Sequence, residues 1–201
     1  MSGAARDDAS GPGEWPALRV DDWTETRDTL QMWLQIVGKV RLAKAPPVNH
    51  WWQVPLYLTP RGLTTSVIPD RPRTFEIEFD FCTHELHVDL EGGDRRTVRL
   101  EPKPVADFYA ETFGCLGELG IDVAISTQPV EVERPIPFER DHEHATYEPG
   151  HAQLFWRQLL AVDRVFKRFR GRFIGKVSPV HFFWGGMDLA VTRFSGRPAP
   201  R

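Results

Sequence analysis

Two histidines stand beside bulky rings in segments that read alike. His50 lies in Pro47-Val48-Asn49-His50-Trp51-Trp52 and His181 in Pro179-Val180-His181-Phe182-Phe183-Trp184. An imidazole titrates near neutrality, and rings that exclude water move it into a range useful for general acid or base work. Asp188 follows across Gly185-Gly186, close enough in sequence to orient one of the two rings. Trp51, Trp52, Phe183 and Trp184 would wall a ligand cavity, and Lys39, Lys176, Arg61, Arg193 and Arg197 could grip an anionic group on it. The plainer reading is that the histidines are satisfied at strand ends, the cations sit at helix ends, and the rings fill a core.

Other clusters are weaker. His142-x-His144, with Glu148 and His151 nearby, offers imidazole and carboxylate donors of the kind iron, manganese or zinc accept. Pro149-Gly150 and a helix follow at once, which suits a solvated loop better, so no cofactor is expected and a metal on His142, His144 and His151 is only the alternative. His84 and His87 are one residue short of the zincin spacing and, on a strand, point to opposite faces. Glu76, Glu78 and Asp80 read as the wet face of a sheet, and Arg164, Lys167, Arg168, Arg170 and Arg172 as a basic helix end. No serine-nucleophile motif, dinucleotide fingerprint or phosphate-binding loop is present.

The elements that must position these residues follow from periodicity. Apolar positions at Leu30, Trp33, Leu34, Val37 and Val40 predict a helix opened by an Asp22/Glu25 capping box and stopped by Pro46-Pro47. Strands are predicted over 50–58 and 63–68, then a meander in which Phe75, Ile77, Phe79 and Phe81 alternate with Glu76, Glu78, Asp80 and Cys82, turning at Gly92-Gly93 and returning over 96–100. A second helix starts near Pro104 and is capped by Gly120. Short edge strands are expected over 121–125 and 129–132, a third helix over about 151–170, and closing strands over 180–184 and 188–194.

The two ends also match each other. Ile36-Val37-Gly38-Lys39-Val40 resembles Phe173-Ile174-Gly175-Lys176-Val177, each glycine read as ending a helix, and Leu56-Tyr57-Leu58-Thr59 with Arg61 resembles Leu189-Ala190-Val191-Thr192 with Arg193. An internal pseudo-twofold duplication, with cassettes at about 22–68 and 150–196, would bring the His50 and His181 strands together and place a pocket at their junction. The stretch SPVHFFWGGMDLAVTRFSGRPAP, with QIVGKVRL, NHWW, RGLTT and FEIEFDF upstream, resembles an uncharacterised bacterial protein family of unknown function. That resemblance implies no activity, cofactor or catalytic residue.

Composition narrows the classes. The chain has 201 residues and a formal charge of −3, which argues against nucleic acid as the main partner. No stretch is long and apolar enough to span a membrane and no signal peptide is evident, so a cytoplasmic location is expected. Cys82 and Cys115 are read as two buried reduced thiols. Residues 1–13 read as a disordered tail and 14–201 as one α+β domain, a largely antiparallel sheet with about three packed helices. The expected role is small-molecule binding in an aromatic, histidine-lined pocket, for an anionic or polar-aromatic ligand. An enzyme using His50 or His181, and a structural or interaction domain with a homodimer interface, are the open alternatives.

Overall fold

The computed structural model describes residues 15–198, so the tail expected over 1–13 lies outside the described residues. The fold is α+β: three helices pack with a six-stranded antiparallel sheet and a separate two-stranded hairpin. In chain order the elements are α1 (Val20–Lys44), β1 (Tyr57–Leu58), β2 (Gly62–Thr64), β3 (Ile68–Asp70), β4 (Arg73–Asp80), β5 (Glu85–Leu90), β6 (Arg95–Arg99), α2 (Val105–Glu118), α3 (Pro149–Gly171), β7 (His181–Phe183) and β8 (Asp188–Ala190). The large sheet runs β1-β2-β4-β5-β6, with β3 pairing on β4.

Strict alternation in β4 sets the register of that sheet. Phe75, Ile77 and Phe79 oppose Leu90, Val88 and Leu86, so one face is continuously apolar. The same register sets Glu76, Glu78 and Asp80 on the other face, where they are held rather than merely wet. Thr64 donates to Glu76, Thr59 to Glu78, and Arg61 pairs with Asp80. Asp80 is fully buried. Burial alone would raise its proton affinity, but Arg61 and the backbone N–H groups of Thr83 and Cys82 outweigh it and hold the carboxyl below the usual range.

Against the apolar face lie α1 and α2. Trp33 of α1 stacks on Phe108 of α2 with centroids 4.6 Å apart, and Phe108 stacks in turn on Phe79. Such ring pairs add about 0.5 to 1.5 kcal/mol beyond the area they bury. The middle of α1 is covered on all sides, since every residue from Trp33 to Arg41 is buried. A helix so enclosed can carry polar side chains only where they find partners, and the site depends on the partners it finds.

Several local expectations are corrected. The chain over 50–58 is not one strand: Asn49–Trp51 forms a 3-10 turn, and only Tyr57–Leu58 pairs. The segment 63–68 splits between β2 and β3. Residues 121–125 and 129–132 form no strand; instead α1 side chains bond their backbone, Lys44 to the Asp122 carbonyl and Gln35 to both backbone groups of Val130. The N-cap of α1 is Arg19 with no side-chain cap, so the Asp22/Glu25 box does not form. Cys82 is exposed and Cys115 half-buried, and both are free.

Gly38 does not end a helix. It lies within α1, where an added Cβ would overlap the Trp184 indole, so glycine is required by close packing. Gly175 lies past the end of α3 with its space closed by Phe173. The two cassettes therefore have different backbones at their matched glycines, and at their histidines as well: His50 sits in a left-handed turn, His181 in a strand. An internal duplication is not shown.

Candidate functional site

The hairpin β7–β8 joins the chain near His50 through one antiparallel bridge, in which Leu56 and Phe182 exchange both backbone hydrogen bonds. The hairpin has two faces. Phe182 enters the core, while His181, Phe183 and Asp188 lie on the opposite side by the two-residue period and the Phe183–Asp188 register. Between that side and the 3-10 turn is a cleft of about 440 Å³, lined by His50, Trp51, Val54, Phe183, Trp184 and Asp188 together with Leu42, Val130, Glu131 and Gly185.

Each wall has a local cause. Trp184 packs edgeless against Gly38 and donates its indole N–H to the Val54 carbonyl at 3.0 Å, which fixes the ring between helix and turn. Trp51 is two-thirds exposed at the rim. His50 is gripped from outside the cleft: the Lys176 ammonium donates to its Nε2 at 2.8 Å, which leaves the ring proton on Nδ1. Trp52 and Phe194 complete that grip, with centroids 5.1 and 4.9 Å from the imidazole and Lys176 over both rings.

The third wall is a loop that α1 holds by its backbone. Gln31 donates to the Gly185 carbonyl, Gln35 both donates to and accepts from Val130, and Lys39 donates to the carbonyls of Ser126 and Gln128. These residues recur every four positions, one face of the helix. Burial pushes the Lys39 ammonium below its ordinary value, and the two carbonyls and the Phe138 ring are what it meets there. Lys39 thus positions the wall and does not face the cleft.

The loop delivers Glu131. Its carboxylate lies across Gly185-Gly186, where a Cβ on Gly186 would meet Glu131 Oε2 and Asp188 Oδ1 at 2.9 Å each. The two carboxylates therefore converge on one point, and the paired glycines leave the room for them. Backbone strain collects at the same place. Among the described residues six non-glycine residues have positive φ, and His50, Trp51, Glu131 and Met187 are four of them, three lining the cleft and one preceding Asp188.

The remaining candidates lie elsewhere. His181 is buried and does not line the cleft; it stands behind Phe183, with ring centroids 4.6 Å apart, and its Nδ1 has no partner. Burial lowers its proton affinity, and the Asp188 carboxylate opposes that only in part. The shared His50–His181 pocket is thus corrected to a pocket with His50 alone. Arg61 belongs to Asp80 on the sheet, and Arg193 stacks over Phe169 at the end of α3. His144 donates its Nδ1–H to the Asp141 carboxylate at 2.7 Å, and among the described residues no group of three or more His, Cys, Asp or Glu is placed to hold a metal ion.

What sequence reasoning missed is Glu131 and the α1 stripe. Glu131 carries no signal, since it sits in a proline-bearing stretch that reads as an edge strand. The stripe has one: Gln31, Gln35 and Lys39 are polar at helical spacing inside the otherwise apolar run from Leu30 to Val40, a pattern that demands buried partners.

Fold and cleft together define an α+β domain with a strained, aromatic-walled recess between a hairpin and a helix-held loop. A model of a family of unknown function, DUF5996, matches residues 15–201. The chain belongs to that family. No curated protein and no solved structure matches it. Among the described residues no helix is long and apolar enough to cross a membrane.

Proposed function

We propose that this chain is a small-molecule-binding domain whose ligand enters the cleft between the Asn49–Trp51 turn and the β7–β8 hairpin. The observation that carries this reading is the gathering of four left-handed residues around one aromatic recess. Each such conformation costs on the order of 1 to 3 kcal/mol and persists only where the surrounding structure enforces it, and such residues cluster at binding and catalytic sites. The walls are largely apolar, and the charged groups facing in are Glu131 and Asp188.

That pair revises the ligand. An anionic ligand would meet two carboxylates, whereas a cationic or hydrogen-bond-donating group would be held by them while its apolar body lies between Trp51, Phe183 and Trp184. The ligand class is therefore an aromatic or aliphatic amine. A second reading has its own support. Two convergent carboxylates and an imidazole of fixed tautomer in one recess are the parts of general acid–base catalysis, with His50 Nδ1–H as donor and Asp188 or Glu131 as base.

The test is titration with tryptamine, phenethylamine and their carboxylic-acid counterparts, read by tryptophan emission. Trp51 is the exposed reporter. A saturable change with the amines, absent with the acids and lost in Asp188→Asn and Glu131→Gln, is the expected result. No response from any member of the panel into the millimolar range, or equal responses to amines and acids, would overturn the amine reading.

A further inference from the structure

The far end of α3 holds a second recess with the opposite charge. It has a volume of about 350 Å³ and is lined by Val165, Arg168, Phe169, Arg172 and Arg193. Helical spacing puts Val165, Arg168 and Phe169 on one face near the end of α3, Arg172 caps that end, and the Val177–Arg193 bridge carries Arg193 to meet them. Three guanidinium groups thus converge and no carboxylate lines the recess.

Cations at a helix C-terminus are favoured by the dipole, and that could account for Arg168 and Arg172. It does not account for Arg193, which comes from another part of the chain. Its guanidinium lies 3.5 Å from the centroid of Phe169 and 5.3 Å from that of Phe173, so the two rings fix it. Its Nε is buried with no hydrogen-bond partner. Among the described residues none of Arg168, Arg172 and Arg193 makes an ion pair, although the chain as a whole is acidic. The neighbouring Lys167 shows the contrast, since it is matched by Asp163.

We infer that this recess binds a phosphate ester, the phosphate held by Arg168, Arg172 and Arg193 and its apolar substituent lying on Phe169 and Val165. Planar guanidinium groups meet phosphate oxygens in pairs, and three of them balance a doubly charged group better than a single carboxylate. Val165 and Phe169, which line the recess, are each more than two-fifths exposed, and Ile174 shortly after the helix is fully exposed. The phosphate can reside on a free metabolite or on the headgroup of an anionic phospholipid.

Two probes separate the sources. Calorimetric titration with phenyl phosphate reports the free ester, and co-sedimentation with phosphatidic acid–phosphatidylcholine vesicles, against phosphatidylcholine alone, reports the lipid headgroup. Arg168→Gln and Arg172→Gln change exposed positions on the helix surface and leave the core untouched. Loss of one charged hydrogen-bonding partner should weaken binding by about tenfold or more. Saturable binding of phenyl phosphate, lost in both variants, supports a metabolite; anionic-vesicle binding lost in both variants, and in Ile174→Asp, supports a lipid. Absence of binding to every probe, or binding that the two arginine variants leave unchanged, overturns the inference. The amine response of the first cleft should be the same in all of these variants, so the two sites fail independently.

Discussion

The large sheet and the β7–β8 hairpin solve the same problem in opposite ways. In the sheet, partners are local and repetitive: β4 satisfies its backbone on β2, β3 and β5, and its acids on Thr59, Arg61 and Thr64. Around the hairpin, partners are distant and singular: one bridge to Leu56, one indole bond to Val54, and three polar side chains of α1 reaching loop backbone. The strands of the sheet keep ordinary backbone conformations and only Ser66 and His84 among the non-glycine residues of its connections have positive φ, whereas the hairpin and its neighbours hold the other four such residues. The difference teaches where stability is generated and where it is spent on aiming side chains.

The sharpest way to break this contrast is to truncate one ring on each side. Phe79→Ala should cost about 3 to 5 kcal/mol in denaturant unfolding, since it opens a cavity in a fully buried stack. Trp51→Ala should stay within about 0.5 kcal/mol because the ring is two-thirds exposed, while amine binding, read by calorimetry since the fluorescent reporter is removed, is lost. Equal costs for the two would remove the distinction. Gly38→Ala comes next. Its Cβ forces the Trp184 indole outward, and overpacking of that kind costs about 1 to 3 kcal/mol. The same variant should blunt amine binding, because Trp184 is also a cleft wall.

The smallest effect is on pH. The ordinary imidazole value is 6.5, and burial depresses both His181 on the hairpin side and His84 on the sheet side below it. Above that value both imidazoles are neutral in the folded and unfolded chains and nothing is lost. As pH falls below it the unfolded chain takes up protons that the fold resists, so stability declines until the folded values are passed. Melting curves between pH 7.5 and 5 should show this decline, and His181→Gln should flatten it. A variant with an unchanged slope would assign the effect to His84 and the sheet.

Legibility in the sequence followed the same divide. The β4–β5–β6 meander and all three helices are visible because periods of 2 and 3.6 are enforced by a continuous apolar face. The hairpin side escapes such reading. His50 looked like the start of a strand because Trp51, Trp52 and Val54 have strand propensity, yet the turn they form is held by Lys176, more than a hundred residues away. Gly38 looked like a helix end because glycine is a poor interior residue, and only the Trp184 ring explains it. The cassettes aligned in the sequence lie in segments that do meet, through the Leu56–Phe182 bridge, although their backbones differ and the duplication itself is not shown.

That bridge has a consequence for the solubility of the whole molecule. A sheet edge with free N–H and C=O groups recruits strands from other molecules, and three strands of the six-stranded sheet, β1, β3 and β6, are paired on one side only. The β1 edge is taken by Phe182, which uses the backbone groups of Leu56 just where an intruding strand would seek them. The β6 edge is short and bears Arg95, Arg96 and Arg99 in five residues, charged side chains of the kind that blunt an edge. The hairpin that shapes the cleft therefore doubles as the plug that keeps one edge of the sheet from seeding aggregation.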